Sequence, residues 1–487
     1  MKLRRIVMLA AVVLPCFGLS AQEKAGEAQG GISQEMLAEI SKGYMGDASD
    51  KAIRNALAGT SIATLAVNAE NAAMIDTHFS DRVKTKGITD QKSSGRCWLF
   101  TGLNVLRAKM IDEYGLPGLE FSQNYLFFYD QLEKANLFLQ GIIDTKELPA
   151  DDRKVDWLFS NPISDGGQFT GVSNLVMKYG LVPSEAMPET FSSNNTSQMA
   201  MLLKLKLRED GLRLRKAYED AVPAKLGGKK KESAMAAASK ELQKMKVGML
   251  SEIYRMLALC LGEPPTEFEW TRCDRDGKIV SIEKYTPKSF YDKYIGRNLE
   301  ENYVMIMNDP CREYGKVYEI DYDRHVYDGH NWLYVNLPVE RIKEIAIASI
   351  KDNAAMYFSC DVGKFFSRSK GTLDLANFDY ESLMGVTFGM DKKERVMTHA
   401  SGSSHAMTLI AVDIDKESGK PAKWMVENSW GPSAGYKGCL IMTDEWFDEY
   451  MFRLVAERKY VPADVLKILE DKPIQLPAWD PMFMSEE

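Results

Sequence analysis

The stretch "DQKSSGRCWLF", residues 90–100, places a cysteine between a turn of small residues and an apolar run. Apolar residues then recur as far as Met110 at the three- and four-residue spacing of a helix. Residues 93–95 are serines and a glycine, which form turns and cap helices. The pattern places Cys97 on the first turn of a helix, either as a core cysteine or as a nucleophile whose pKa the helix N-terminus lowers.

Length and composition indicate a soluble globular protein. The chain has 487 residues, of which 45% are hydrophobic and 27% charged, so it is long enough to bury a large core. Its formal net charge of -8 disfavours nucleic acid or an anionic membrane as the main partner.

The N-terminus has the pattern of a signal peptide over residues 1–21. Basic residues among the first five precede an apolar stretch over 6–18, which is too short to span a bilayer, and Ala21 offers a small residue for cleavage. We expect an exported protein, periplasmic or secreted, with no membrane association after cleavage. An uncleaved anchor is the alternative.

The cysteines do not form a recognisable metal or redox motif. No CxxC pair occurs, which disfavours a structural zinc site or a thioredoxin-type site. An exported protein could pair some of its cysteines, and spacing alone leaves the pairing open. The seven are Cys16, Cys97, Cys260, Cys273, Cys311, Cys360 and Cys439.

The first half of the mature chain is predicted to be helical. An Ala-, Gly- and charge-rich leader covers residues 22–74, and the main domain covers 75–487. Residues 120–139 have the pattern of an amphipathic helix with a serine cap, and 164–183 that of a glycine turn followed by a helix. Residues 198–262 are charged and helix-prone, which indicates a helical insertion on the surface.

The C-terminal third has the pattern of strands. Short β-prone runs alternate there with Gly, Pro and charged turns, which predicts an antiparallel sheet. The fold class is therefore α+β, with a helical lobe, a sheet lobe and a cleft between them. The predicted strands are 354–362, 404–414, 422–430 and 438–444.

A nucleophilic cysteine needs a base nearby, and the base needs a group that orients it. His405 opens one predicted strand, and Asn428 follows 23 residues later at the end of the next. Neighbouring antiparallel strands place the two side by side, so that the Asn oxygen accepts from one ring nitrogen and the other nitrogen faces the thiol of Cys97. Gln91, six residues before Cys97, offers an amide that joins the Cys97 backbone N–H in an oxyanion hole.

Three motifs, "QKSSGRCWLF", "SHAM" and "ENSWG", resemble papain-type cysteine proteases, and the closer match is the bleomycin hydrolase and aminopeptidase C branch. "DGGQF" at 165–169, the segments at 308–322 and 349–366, and "LPAWDPM" at 476–482 resemble the same branch, so the likeness runs from about residue 75 to the end.

The resemblance implies a papain-like two-lobed fold, with a helical lobe, an antiparallel β-barrel-like lobe and inserted helices. It implies Cys97 as nucleophile, His405 as base, Asn428 as orienting residue and Gln91 as oxyanion donor, with no metal or organic cofactor. It further implies peptide substrates, a homohexamer with contacts through the insertion, and a C-terminal arm, residues 476–487, that lies in the cleft and restricts cleavage to free N-termini.

Two features depart from the family pattern. "MTHASGSSHAMT" contains two His-Ala steps, so His399 is a rival base, and His405 is preferred because a strand pattern continues after it. The tail ends in "FMSEE", which is bulkier and more acidic than the small-residue end usual in the family.

Three alternatives to an aminopeptidase remain open: an endopeptidase of the same fold, a non-catalytic exported binding protein, and an acyltransferase with the same triad.

Overall fold

The computed structural model describes residues 30–482, apart from 45, 72–75, 117 and 275. The chain divides into two compact units, residues 1–66 and 67–487. The predicted signal peptide and the predicted tail tip at 483–487 lie outside the described residues.

The described part of the first unit is helical. Serine or aspartate side chains cap its three helices, and none of these helices contains a buried residue. These three helices thus contribute no buried side chain to a core. The helices are α1 (Gln34–Lys42), α2 (Ala48–Leu57) and α3 (Ile62–Leu65).

Most of the helical residues of the second unit lie in its first half, as predicted, because the long helices are there. They are α4 (Cys97–Tyr114), α5 (Gln123–Asp144), α6 (Arg153–Ser160), α7 (Phe169–Tyr179), α8 (Phe191–Asn194), α9 (Ser197–Ala221), α10 (Gly228–Leu261), α11 (Pro287–Tyr294), α12 (Leu299–Asn302), α13 (Val339–Lys351), α14 (Tyr380–Met384), α15 (Lys392–Met397), α16 (Asp444–Tyr450) and α17 (Ala463–Ile468).

Twelve of the described strands form one sheet, in the order β14-β5-β6-β4-β13-β7-β10-β11-β12-β9-β8, with β1 added on β10; β2 and β3 form a separate hairpin. The strands are β1 (Asp81–Arg82), β2 (Phe268–Cys273), β3 (Ile279–Tyr285), β4 (Tyr303–Met307), β5 (Lys316–Ile320), β6 (Leu333–Asn336), β7 (Met356–Cys360), β8 (Phe366–Ser367), β9 (Thr372–Leu373), β10 (His405–Ile414), β11 (Pro421–Glu427), β12 (Cys439–Thr443), β13 (Met451–Glu457) and β14 (Ile474–Leu476).

The helix α5 is buried on most of its surface, whereas its sequence pattern indicated one apolar face. Ser122 caps it by accepting from Tyr125 N–H at 3.0 Å, as predicted. Its polar residues Asp130 and Gln131 are fully buried because α7, α9 and α10 all pack against it. The helical insertion is therefore part of the helical core as well as of the surface.

Two hydrophobic clusters correspond to two lobes. One joins α4, α5, α7, α9 and α10, and the other joins the central strands with α13 and α16. The α+β class and the two-lobed arrangement are confirmed. The prediction of an antiparallel sheet holds for most strand pairs, but three pairs are parallel: β4–β6, β12–β9 and β14–β5.

No disulfide joins the six cysteines that lie in described residues. Likewise, none of the described helices is long and apolar enough to cross a bilayer.

The packing of α4 on α7 generates a stability prediction. A Cβ added at Gly102 in α4 would lie 2.5 Å from Val172 Cγ2, so Gly102→Ala should destabilise the fold by about 1–3 kcal/mol through overpacking. Gly248→Ala in α10 is the matched control, because nothing lies within 4 Å of the added Cβ and alanine favours the helix. Denaturant unfolding measures both changes, and equal stability of the two variants would contradict the packing argument.

Candidate active site

Cys97 is the first residue of α4, as predicted. The preceding residue, Arg96, is the N-cap, and no side chain caps this end of the helix. The prediction that the serines cap the helix is wrong, because the Ser94 hydroxyl donates to Gln91 O at 2.6 Å instead. The helix start therefore directs backbone N–H groups and the positive end of its dipole towards the Cys97 side chain.

His405 and Asn428 meet across neighbouring strands. His405 begins β10, Asn428 directly follows β11, and His405 Nε2 lies 2.9 Å from Asn428 Oδ1. Since the amide oxygen also accepts from Ser429 N–H at 2.8 Å, Nε2 is the donor and Nδ1 is the acceptor nitrogen of the neutral ring. The next residue, Ala406, donates its backbone N–H to Cys97 Sγ at 3.5 Å, so the strand start lies against the thiol.

The three side chains are almost completely buried. The exposed fractions are 0% for Cys97, 2% for His405 and 1% for Asn428. The indole of Trp430 stacks on the His405 ring, with centroids 4.8 Å apart. Burial lowers the pKa of His405 to about 4, although the hydrogen bond to Asn428 favours the charged ring.

Gln91 lies beside the same strand end. Its backbone N–H donates to Ser429 O at 2.8 Å, and its side-chain oxygen accepts from the Ser429 hydroxyl at 2.6 Å. Its Nε2 donates to Ser94 O at 2.7 Å, which leaves its second N–H for another acceptor. The amide is thus held in one orientation by the turn before Cys97 and the turn after Asn428.

His399 has a different environment. It is exposed, follows α15, and has a left-handed backbone with φ +59. Its backbone N–H donates to Val396 O within this turn. Of the two rival histidines, it is His405 that the structure brings to Asn428 and Cys97.

Asp165 is a site residue to which the sequence analysis assigned no role. Its carboxylate accepts from Gly95 N–H at 2.8 Å and from the Thr196 hydroxyl, and its backbone oxygen accepts from Trp98 Nε1 at 2.9 Å. Asp165 therefore fixes the residues on both sides of Cys97. An aspartate before two glycines in "DGGQF" was the available signal, since such a turn leaves its carboxylate and carbonyls pointing outwards.

A second network, also missed, supports this turn from α5. Lys134 Nζ donates to Ser164 O at 3.0 Å and Gly166 O at 2.6 Å, and forms an ion pair with Asp130 at 2.9 Å. Asp130 lies 2.5 Å from His325 Nδ1, and the rings of His325 and Trp98 form a T-shaped contact with centroids 4.7 Å apart. Burial lowers the pKa of His325, and its contacts with Asp130 and Trp98 make it part of the support beneath the first turn of α4.

A cavity of about 400 Å³ lies beside the glycine turn. Its wall includes Gly166 and Gly167, aromatic side chains such as Trp157, and residues Ala478 to Asp480 of the C-terminal arm. The arm is thus part of the wall of a pocket next to the residues that position Cys97.

The sequence comparisons identify relatives along most of the chain. The sequence model of the Peptidase C1-like family matches residues 31–483. Human bleomycin hydrolase is 40% identical over 405 residues, which are 82% of this chain and 86% of that protein. Aminopeptidase G of Lactobacillus delbrueckii subsp. lactis is 37% identical over 92% of this chain and 98% of its own.

The structural comparison agrees. The crystal structure of PepW from Lactobacillus rhamnosis HN001 has a TM-score of 0.87 and 34% identity, and it covers 94% of this chain and 100% of that one. The fold and the relatives define a cysteine peptidase. The chain belongs to the Peptidase C1-like family, and its relatives include proteins named bleomycin hydrolase and aminopeptidases C, G and W.

The burial of His405 generates a titration prediction. In a Cys97→Ala variant no thiolate can stabilise the imidazolium, so His405 should titrate near pH 4 instead of 6.5. The His405 proton then binds more tightly in the unfolded chain than in the folded one. The free energy of unfolding of the variant should therefore decrease as pH falls from about 6.5 towards 4. NMR of labelled histidines measures the pKa, and pH-dependent unfolding measures the loss. A His405 pKa at or above 6.5 in this variant would refute the argument.

Proposed function

We propose that the chain is a cysteine aminopeptidase in which Cys97, His405, Asn428 and Gln91 carry out peptide hydrolysis. Two contacts carry the proposal. His405 is hydrogen-bonded to Asn428, and the next residue on the same strand, Ala406, donates its N–H to Cys97 Sγ at the start of α4. Family membership sets aside the alternative of a non-catalytic binding protein.

The proposed reaction begins with proton transfer from Cys97 to His405 Nδ1. The thiolate attacks the scissile carbonyl carbon, a C–S bond forms, and the carbonyl electron pair moves to oxygen. The free N–H of Gln91 and the Cys97 backbone N–H stabilise that oxyanion. When the intermediate collapses, the C–N bond breaks and the imidazolium protonates the leaving amine. Water, deprotonated by His405, then hydrolyses the thioester and regenerates the thiol.

Asn428 acts on the ring that moves the protons. By accepting from Nε2 it fixes the ring orientation and keeps Nδ1 towards the thiol. Trp430 covers the ring and excludes water from this hydrogen bond, which strengthens it.

Substitutions at the two histidines and the cysteine test the assignment. Cys97→Ala should reduce hydrolysis of a leucine aminomethylcoumarin amide by on the order of 10³-fold or more, because the covalent route disappears. His405→Ala should be as damaging, Asn428→Ala less so, and His399→Ala should be tolerated. Cys260→Ala, a half-buried position in α10, is the thiol control. An active Cys97→Ala variant, or loss of activity with His399→Ala alone, would reverse the assignment.

We also propose that the C-terminal arm restricts the enzyme to free N-termini. In support, β14 pairs with β5, Trp479 packs on Arg153 at 4.4 Å, and Asp480 forms an ion pair with Arg312. Met482 O accepts from the fully buried Arg453 at 2.7 Å, so the arm is anchored up to its last described residue.

The tip of the arm supplies the charge in this proposal. Glu486 and Glu487 follow Met482 within five residues. In a partly desolvated cleft they attract the α-ammonium of a substrate more strongly than they would in water. An endopeptidase of the same fold is the alternative if the tip does not enter the cleft.

Deleting residues 483–487 tests the arm. The wild type should prefer a free-amine amide over its N-acetylated twin by roughly 10–100-fold in kcat/KM, the effect of one ammonium–carboxylate contact. The deletion should bring this ratio close to one, and Glu486→Gln with Glu487→Gln, which removes both side-chain charges, should lower it as well. An unchanged ratio after deletion would favour the endopeptidase.

Export and assembly complete the proposal. We infer a periplasmic or secreted enzyme from the basic and apolar segments of residues 1–21.

We also infer a homo-oligomer, which the family resemblance indicates is a hexamer. In support, α9 exposes apolar side chains along one side, at Met201, Leu205 and Leu212.

A further inference from the structure

Arg368 lies in a tight turn at the edge of the sheet that carries His405. The turn connects β8 and β9, and Gly371 N–H closes it by donating to Ser367 O at 2.9 Å. Gly371 has φ +69, and a Cβ there would lie 2.5 Å from Gly435 Cα. The backbone that carries Arg368 therefore has one tightly constrained conformation.

Aromatic rings hold the guanidinium next to the candidate active site. The Arg368 Cζ atom lies 5.4 Å from the centre of the Phe366 ring and 5.8 Å from that of the Trp430 ring. The same Trp430 indole stacks on His405 at 4.8 Å. A single aromatic side chain thus contacts both the proposed general base and this cation, and cation–π contacts orient the cation without neutralising it.

The charge of Arg368 is available to a ligand. Its side chain is exposed, and it forms no ion pair with any of the residues that the structure describes. The acidic groups along the same segment have other partners: Asp361 accepts from Ser401 and lies 3.9 Å from Lys364, and Asp374 accepts from Asn71. Arg368 therefore presents a positive charge beside Trp430 that no described acidic residue neutralises.

We propose that Arg368 binds a carboxylate of the leaving group, so that the enzyme prefers short peptides with a free C-terminus. The inference rests on the proposed function, in which the N-terminus of the substrate meets the arm and the leaving amine lies at His405. The leaving residues then extend away from the arm, across Trp430. An extended residue spans about 3.3–3.6 Å, which brings a carboxylate one or two residues beyond the cleaved bond within reach of Arg368.

Two sources can supply this carboxylate. One is the α-carboxylate of a dipeptide or tripeptide, and the other is an Asp or Glu side chain just after the cleaved bond. Both present the planar pair of oxygens that a guanidinium binds through two parallel hydrogen bonds. The tight turn and the two aromatic rings reduce the freedom that Arg368 loses when it binds such a group.

The test compares four leucine substrates: Leu-Ala, Leu-Ala amide, Leu-Glu amide and the neutral aminomethylcoumarin amide. The wild type should cleave Leu-Ala about fivefold better than Leu-Ala amide in kcat/KM, the size expected for an exposed ion pair. Arg368→Gln should bring this ratio to one and leave the coumarin substrate unchanged, and Arg368→Lys should restore part of the preference. Arg255→Gln, an exposed arginine on α10, removes the same charge elsewhere and should change nothing.

The outcomes separate the possible explanations. A preference for Leu-Glu amide that Arg368→Gln abolishes would assign the side-chain carboxylate as the source, and the same result for Leu-Ala would assign the α-carboxylate. Two results would overturn the role of Arg368. One is an equal loss of kcat/KM on all four substrates in Arg368→Gln, and the other is a preference for the carboxylate substrates that survives this substitution. If the wild type does not cleave the coumarin substrate, the proposed function itself fails, which is a different result.

Discussion

The contact between the first turn of α4 and the first residues of β10 is the interaction on which the rest of the site depends. Cys97 belongs to the hydrophobic cluster of the helical lobe, whereas most of β10 belongs to that of the sheet lobe. Ala406, whose N–H donates to Cys97 Sγ, packs with Cys97 in the first cluster, while the strand that follows it, from Met407 on, packs in the second. The start of β10 therefore joins the two lobes. Because each lobe is rigidly packed, a small shift between them would change the distance between thiol and imidazole, and the rate is sensitive to that distance.

Local patterns were sufficient for much of the fold. The helix after Cys97 was predicted from apolar residues at helical spacing, and the strand after His405 from a short β-prone run between turns. The same reasoning chose His405 over His399, since a residue that opens a buried strand is placed by the sheet. It failed for the serine cap, because Ser94 satisfies Gln91 O and Arg96 instead of the helix end. A short polar side chain in a tight turn has several partners in reach, and tertiary packing decides among them.

Long-range contacts could not be predicted in this way. Asp165 meets Gly95 across 70 residues, and β14 pairs in parallel with β5, more than 150 residues earlier in the chain. No periodicity connects such segments, and parallel pairing leaves no hairpin turn to mark it. The buried Lys134–Asp130–His325 network was missed for a related reason, since α5 was interpreted as amphipathic and its charged residues as exposed.

The low pKa of His405 is compatible with its proposed role as a base, because that role involves His405 and Cys97 together. Taking a proton from solvent adds a net charge to a buried site, and burial opposes that. Moving a proton from Cys97 to His405 adds no net charge, because the site holds either two neutral groups or an ion pair. In the proposed mechanism, the helix N-terminus stabilises the thiolate and Asn428 Oδ1 stabilises the imidazolium. The buried environment thus opposes protonation of His405 by solvent, while it still allows the proposed proton transfer from Cys97.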